Sequence, residues 1–294
     1  MKTMKNVLEK SILGVAVMAL SFLSSCTDNN QIALSTNDSN NVENEAVTES
    51  YFEDVDDMST LAVSVDASTS TGSRESASGR EGKKPSDPRF TCATVTFEFA
   101  ADNSLANPHG YITINFGTTG CKDARNNVRK GIIKVEFKGR RFMPNSQIIT
   151  TLQGYSINDI AIEGVRTVTN TSGSLETNPK FNVTVQGGKA TWPDGTTATR
   201  EVNRTREWNL AKDEWIVTGT AAGTNRDGKT YQMEITKPLV YKRACASGIA
   251  IEGTKVLTVD GKVITIDYGS GTCDKLITIT INGVSKEIEV KGNM

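Results

Sequence analysis

From Lys189 to Tyr241 polar and apolar residues alternate with a period of two, and Asp-Gly pairs interrupt the alternation. That period sends successive side chains to opposite faces of an extended chain. Asp-Gly supplies the positive φ of a tight hairpin, so the stretch predicts three or four long antiparallel strands. The theme continues on both sides. Thr91 to Ala100, Tyr111 to Phe116, Gly131 to Gly139, Ser146 to Tyr155, Asp159 to Thr169 and Phe181 to Gln186 read as strands before it. Ile249 to Val259, Val263 to Tyr268, Leu276 to Ile281 and Val284 to Val290 read as strands after it. Turns are expected at Asp194-Gly195, Asp227-Gly228, Asp260-Gly261 and Asn282-Gly283. After Phe90 hardly any segment carries a 3.6-residue period, and Leu210 to Trp215 has room for a single helical turn. The pattern predicts an all-β class: a long antiparallel hairpin meander, folded as a curved sheet or an open sandwich.

Several of these strands are poor in large apolar residues. Thr199 to Trp208 carries Arg200, Glu201, Arg204, Arg206 and Glu207, and Thr218 to Thr224 is built of Thr, Gly and Ala. Ribbons of this kind are expected to be wet on at least one face, with the Arg and Glu side chains making cross-strand ion pairs there.

The first 25 residues follow a different pattern. Lys2, Lys5 and Lys10 precede a short apolar run from Ile12 to Leu23 that ends in Leu-Ser-Ser-Cys26. A basic start, an apolar run too short to span a bilayer and small residues before a cut describe a secretory leader. Leu-Ser-Ser-Cys resembles the lipobox of bacterial lipoproteins. The resemblance implies cleavage before Cys26, lipid on its thiol and an outer-membrane address, since Thr27 rather than Asp follows it. Several acyl chains make a stable anchor.

Residues 26–89 are rich in Ser, Thr, Asn, Asp and Glu. They hold 13 acids against 5 bases, whereas residues 90–294 hold 25 bases against 20 acids. The near-neutral total thus hides an acidic segment on a mildly basic body. Composition predicts a disordered acidic tether, kept extended by self-repulsion. Tyr51 to Val65 has the apolar content for a short helix or a docking segment, but the composition favours a fluctuating linker. The basic excess of the body is too weak to argue for nucleic acid as a partner.

Beyond Cys26 the chain has Cys92, Cys121, Cys245 and Cys273. An even count in an exported chain predicts two disulfides. Ile112-Thr-Ile-Asn-Phe-Gly-Thr-Thr-Gly-Cys121 echoes Ile264-Thr-Ile-Asp-Tyr-Gly-Ser-Gly-Thr-Cys273, with a cysteine 29 and 28 residues upstream respectively. The echo selects Cys92–Cys121 and Cys245–Cys273, each closing a loop worth roughly 3 kcal/mol. A second echo, Ile160-Ala-Ile-Glu-Gly against Ile249-Ala-Ile-Glu-Gly, falls in a different order relative to the cysteines and does not establish a duplication.

The stretch from Asn170 to Asp274, through its segments WPDGTTATR, TREW, GTNRDGKTY, KPLVYKRAC and ITIDYGSGTCD, resembles a family of uncharacterised Bacteroidetes outer-membrane lipoproteins. The resemblance implies a lipid-anchored envelope protein. It brings no activity, cofactor or functional residue.

Candidate chemistry is sparse. His109 is the only histidine and sits in a turn, so neither a catalytic triad nor a usual zinc site can be assembled, and no metal or cofactor is expected. The remaining catalytic option is carboxylates: Glu201, Glu207, Asp213 and Glu214 near Trp208 and Trp215, for glycoside hydrolysis. Trp192, Trp208, Trp215 and Tyr231 beside Arg204 and Arg206 form a candidate binding face for a glycan or protein ligand, with core packing as the alternative use of the same rings. The expectation is a non-catalytic binding or scaffolding lipoprotein, held to the membrane by lipid at Cys26. The alternatives are a carboxylate-dependent carbohydrate-active enzyme and a structural partner of an outer-membrane complex.

Overall fold

The computed structural model describes residues 36–67, 80–81, 84–104, 106–175, 177–245 and 249–289. The leader, Cys26 and the start of the expected tether lie outside them.

Among the described residues fifteen strands form one antiparallel sheet. They are β1 (Arg80–Glu81), β2 (Thr94–Phe99), β3 (His109–Asn115), β4 (Cys121–Lys122), β5 (Val128–Lys138), β6 (Gln147–Ile157), β7 (Ile160–Asn170) and β8 (Lys180–Thr191). Then come β9 (Thr197–Asn209), β10 (Glu214–Thr224), β11 (Thr230–Lys242), β12 (Glu252–Val259), β13 (Lys262–Ser270), β14 (Leu276–Ile281) and β15 (Val284–Glu289). Each strand pairs with its sequence neighbours, except that the short β4 pairs only with β5 and β3 also pairs with β5. Among the described residues no pairing joins the first strand to the last, so the sheet is an open meander. The hairpin meander expected from the alternation is therefore what forms.

The expected turns are present. Asp260-Gly261 and Asn282-Gly283 have positive φ at both residues, the geometry of a two-residue hairpin. Asn158-Asp159 makes a third such turn that no glycine advertised. Leu210 to Asp213 is a turn between β9 and β10 rather than a helix. Phe181 to Gln186 does not end at its glycine pair: β8 runs on to Thr191 through a register shift at Gly187 and Gly188. Similar shifts interrupt β5–β6, β6–β7, β7–β8, β10–β11, β11–β12 and β12–β13. Bulges repeated across a sheet bend it. Gly188 shows what the bend requires: a Cβ there would lie 2.4 Å from the Arg200 carbonyl oxygen.

The sheet bends around a helix. Thr36–Ala67 is one continuous α-helix, α1, where the composition predicted disorder with at most a short helix from Tyr51 to Val65. Glu45, Glu49 and Glu53 of α1 meet Arg200, Arg204 and Arg206 of β9 in turn, so helix and strand run side by side. From the same helix Asp54 reaches Arg129 on β5, while Glu45 and Glu49 reach Lys255 on β12. In a flat sheet β5 and β12 would stand about 34 Å apart, at about 4.8 Å per strand. A helix is only about 10–12 Å wide. The sheet must therefore curl around α1.

The helix buries Asn41, Glu45, Thr48, Phe52, Val55, Met58, Ser59 and Ala62, a stripe at three- and four-residue spacing. Phe52, Val55, Met58, Ala62 and Val63 join one apolar core with Val95, Ile112, Ile133, Val185, Leu257 and Ile264 of the sheet. Buried Thr48 and Ser59 donate their hydroxyls back to the carbonyls of Asn44 and Val55. Glu43, Ala46, Asp57 and Ser64 remain exposed along the opposite stripe. The helix is unreadable from its own composition because Glu45, Glu49, Glu53 and Asp57 stand four residues apart and repel one another. The bases of the sheet, together with Arg89 beside Asp57, offset that repulsion.

Both disulfides form as paired from the echo, with Cα–Cα distances of 5.7 Å for Cys92–Cys121 and 5.4 Å for Cys245–Cys273.

Candidate functional site

The interior of the curl is a lattice of buried charge. On β9 the period of two puts Ala198, Arg200, Val202 and Arg204 on the inner, buried face and Glu201 and Asn203 on the exposed one. The arginines are therefore not on a wet face, and their partners are not the cross-strand acids. Arg200, with 1% of its side chain exposed, donates to Glu45 at 2.8 Å, to the Tyr231 hydroxyl at 3.3 Å, and lies 3.1 Å from Glu49. Lys255 donates to Glu45 at 3.0 Å and Glu49 at 3.3 Å. Arg204 is paired with Glu49, and Arg206 with Glu53 and, at 2.9 Å, Asp56. Arg166 donates to Asp56 at 2.5 Å. Asp54 accepts from Arg129 at 2.6 Å and from Arg89 at 3.1 Å, and Arg129 also donates to fully buried Asp123 and to the Tyr155 hydroxyl.

Burial by itself would push the Glu49 carboxyl up, but Arg204, Lys255 and Arg200 outweigh it and hold it well below the usual carboxylate range. Glu53 and Asp56 are lowered in the same contest, against burial, chiefly by Arg206 and by Arg166 respectively. Burial would discharge Lys255, yet Glu45 and its neighbours keep its ammonium well above the ordinary lysine value.

Beside the lattice lies a groove of about 600 Å³. Its sheet wall is apolar, made by Val168, Phe181, Val183, Trp215, Val217 and Ile266. Its helix wall carries Glu49, Ser50, Glu53, Asp56 and Asp57, and Arg141, Arg204, Arg206 and Lys255 stand between the two. That volume falls within the ordinary range for small-ligand sites. Arg204 is nearly buried, and its Nε finds no hydrogen-bond partner among the described residues. Arg141 makes no ion pair within 4 Å among the described residues; its guanidinium lies 5.2 Å from the Phe142 ring centre and 5.7 Å from that of Phe181, and burial lowers its pKa. The walls around Asp57 exclude enough water, with Asp56 and Glu53 alongside, to push its carboxyl up to about 6, although 66% of its side chain still meets solvent.

The six residues of the expected binding face do not share a face. Trp215, Arg204 and Arg206 line the groove. Trp208 stacks on Trp215 at 5.4 Å but does not line it. Trp192 is buried between Tyr51 of α1 and Arg226, and Tyr231 is buried against Arg200. The reason is positional: Trp192 and Tyr231 lie at the opposite end of the strands from Trp208 and Trp215.

The four candidate acids do not enter the groove. Glu207 faces Lys180 across β8–β9, Glu214 faces Lys242, Asp213 lies 3.7 Å from Arg243, and Glu201 accepts from the Gly187 amide. His109 bonds exposed Asp102 at 2.7 Å, away from these acids. Among the described residues no group of three or more His, Cys, Asp or Glu is placed to hold a metal ion. No described helix is long and apolar enough to cross a membrane.

Neither a protein-family model, nor a curated protein, nor a solved structure matches the chain. The functional reading therefore rests on the groove and lattice. Sequence reasoning missed Glu45, Glu49, Glu53, Asp54 and Asp56 as structural partners of the sheet. Two signals were available: the segregation of acids from bases, and carboxylates recurring at helical spacing within the acidic stretch.

Proposed function

We propose that this is a lipid-anchored envelope lipoprotein, related to the outer-membrane lipoproteins its motifs resemble, whose β-domain is a non-catalytic binding module. The observation that carries the binding role is the groove, with an apolar wall facing a charged one. Such a site suits an elongated ligand that is apolar on one side and polar on the other, a glycan with exposed ring faces or an amphipathic segment of a protein among them. The lattice would serve it as a rigid floor, since every carboxylate there is fixed by a base. The leader and Cys26 support the address.

Two measurements test this reading. Native mass spectrometry of the chain from residue 34 onward, loaded with an envelope extract and then with purified glycans and peptides, should retain a ligand. Ser50→Trp, which fills the groove from the helix side, should abolish retention without unfolding the protein. Retention unchanged by that substitution would remove the groove from consideration. In cells, Cys26→Ser should abolish fatty-acid labelling and release the protein from membranes, and proteolysis of intact cells reports which side of the membrane it faces. The fragment must include α1, because a body cut at Phe90 would leave five buried cations, Arg129, Arg166, Arg200, Arg204 and Lys255, without the carboxylates of the helix.

One observation favours the enzymatic alternative. Asp57, with its carboxyl near 6 beside ionised Asp56, is a groove residue of the kind that trades protons at neutral pH. Glycan turnover lost in Asp57→Asn would establish that reading in place of simple binding.

A further inference from the structure

In an up-and-down meander alternate connections lie at the same end. The loops 139–146, 171–179, 210–213, 243–251 and 271–275 therefore share one end of the sheet. Contacts confirm that they adjoin: the Leu210 amide donates to Asn178, Phe142 packs 6.1 Å from Trp208, Arg243 lies over the Trp208 ring, and the Gly271 amide donates to Ile251.

Five of the seven large apolar side chains exposed among the described residues collect at this end. Phe142 (43% exposed), Met143 (41%), Leu175 (66%) and Leu210 (53%) sit on these loops, and Leu276 (40%) opens the strand that follows the last of them. The hairpin tips at the opposite end are Asn158-Asp159, Asp194-Gly195, Asp227-Gly228, Asp260-Gly261 and Asn282-Gly283, with no apolar residue among them. Val165 and Val263 are the exceptions among the described residues. Scattered exposed leucines need no explanation, but five side chains gathered on neighbouring loops do. Bases stand between them: Arg140, Lys212, Arg243 and Lys275, with Arg141 lining the groove; the acids among the described residues are Asp213 and Asp274 on these loops and Asp102 on 100–108, which adjoins 139–146 where the Gly139 amide donates to the Pro108 carbonyl. Asp213 is itself 3.7 Å from Arg243.

We infer that this loop end is a docking surface for an anionic lipid–water interface. Leucine, methionine and phenylalanine at loop tips enter the acyl boundary, Trp208 lies at headgroup depth, and the arginines and lysines meet anionic headgroups while their alkyl stems lie along the apolar surface. This contact is separate from the lipid expected on Cys26, and it does not depend on what the groove holds.

The test uses the folded unit, residues 34–294, exported behind a leader without a lipobox so that no acyl chain is attached. It is mixed with vesicles of phosphatidylcholine, with and without phosphatidylglycerol. The expected result is co-sedimentation with the anionic vesicles, a blue shift of tryptophan emission and weakening in high salt. Met143→Ser, Leu175→Ser and Leu210→Ser together should reduce binding at least tenfold. All three side chains are exposed, so an unchanged thermal midpoint accompanies that loss. Val263→Ser, an exposed valine (51%) beside the opposite tips, should bind as the parent does. No binding by the parent, full binding by the triple variant, or a self-association that the triple variant abolishes while vesicles are ignored would each overturn the inference.

Discussion

Replacing Arg200 by Met should loosen α1 from the sheet. Arg200 is buried to 1% exposure and holds Glu45, itself 2% exposed, along with Glu49 and the Tyr231 hydroxyl. After the substitution Glu45 keeps only Lys255, and Glu49 keeps Arg204 and Lys255. Two buried charge-assisted contacts are lost, each worth about 1.5–3 kcal/mol. Removing one partner of a buried pair costs about 3–5 kcal/mol in general. Methionine refills part of the volume, so a loss of about 3–4 kcal/mol is expected. That is a large share of the 5–15 kcal/mol that holds a typical domain together. Equilibrium urea unfolding followed by tryptophan emission measures the loss, and amide exchange along Thr36–Ala67 shows whether the helix opens before the strands. Glu45→Met in the same chain should recover about 2–3 kcal/mol of it, because Lys255 retains Glu49 and an uncharged pair no longer has to be desolvated. A loss under about 1 kcal/mol for Arg200→Met, or a double variant no more stable than the sum of the single effects, would refute the idea that ion pairing seats the helix.

Acid should act on the same lattice. Glu49, Glu53 and Asp56 have lowered folded-state values, so their contribution is complete above the unfolded carboxylate range near 4 and is lost as pH falls below it. Exchange protection of α1 should accordingly hold from pH 7 to about 5 and fail at about pH 3, while a helix protected down to pH 2 would contradict the pairing. Asp57 has the opposite sign: its carboxyl is raised to about 6, so its ionisation costs stability as pH climbs from about 4 past 6. Asp57→Asn should stabilise the protein at pH 7 by no more than about 1 kcal/mol, given its exposure, and should have no effect at pH 4, as paired thermal melts would show. Gly188→Ala should destabilise by about 2 kcal/mol or more, since the added Cβ meets the Arg200 carbonyl at 2.4 Å and the Phe52 ring at 3.1 Å; an unchanged urea midpoint would mean that the β8–β9 bulge tolerates a side chain.

The strands, their hairpin turns and both disulfides were legible in the sequence because each depends on near neighbours. A period of two orients side chains whatever lies across the sheet, Asp-Gly and Asn-Gly bend the chain unaided, and the cysteine pairs are only 29 and 28 residues apart. The helix and the inward arginines were decided by tertiary structure. Arg200 meets Glu45 across 155 residues and Lys255 meets it across 210. Taken alone, residues 36–67 are a self-repelling acidic segment, and Arg200, Arg204 and Arg206 belong on a wet ribbon. Each is stable where it lies only because the curled sheet brings the other to it, and burial then makes the opposite charges inseparable without a large cost.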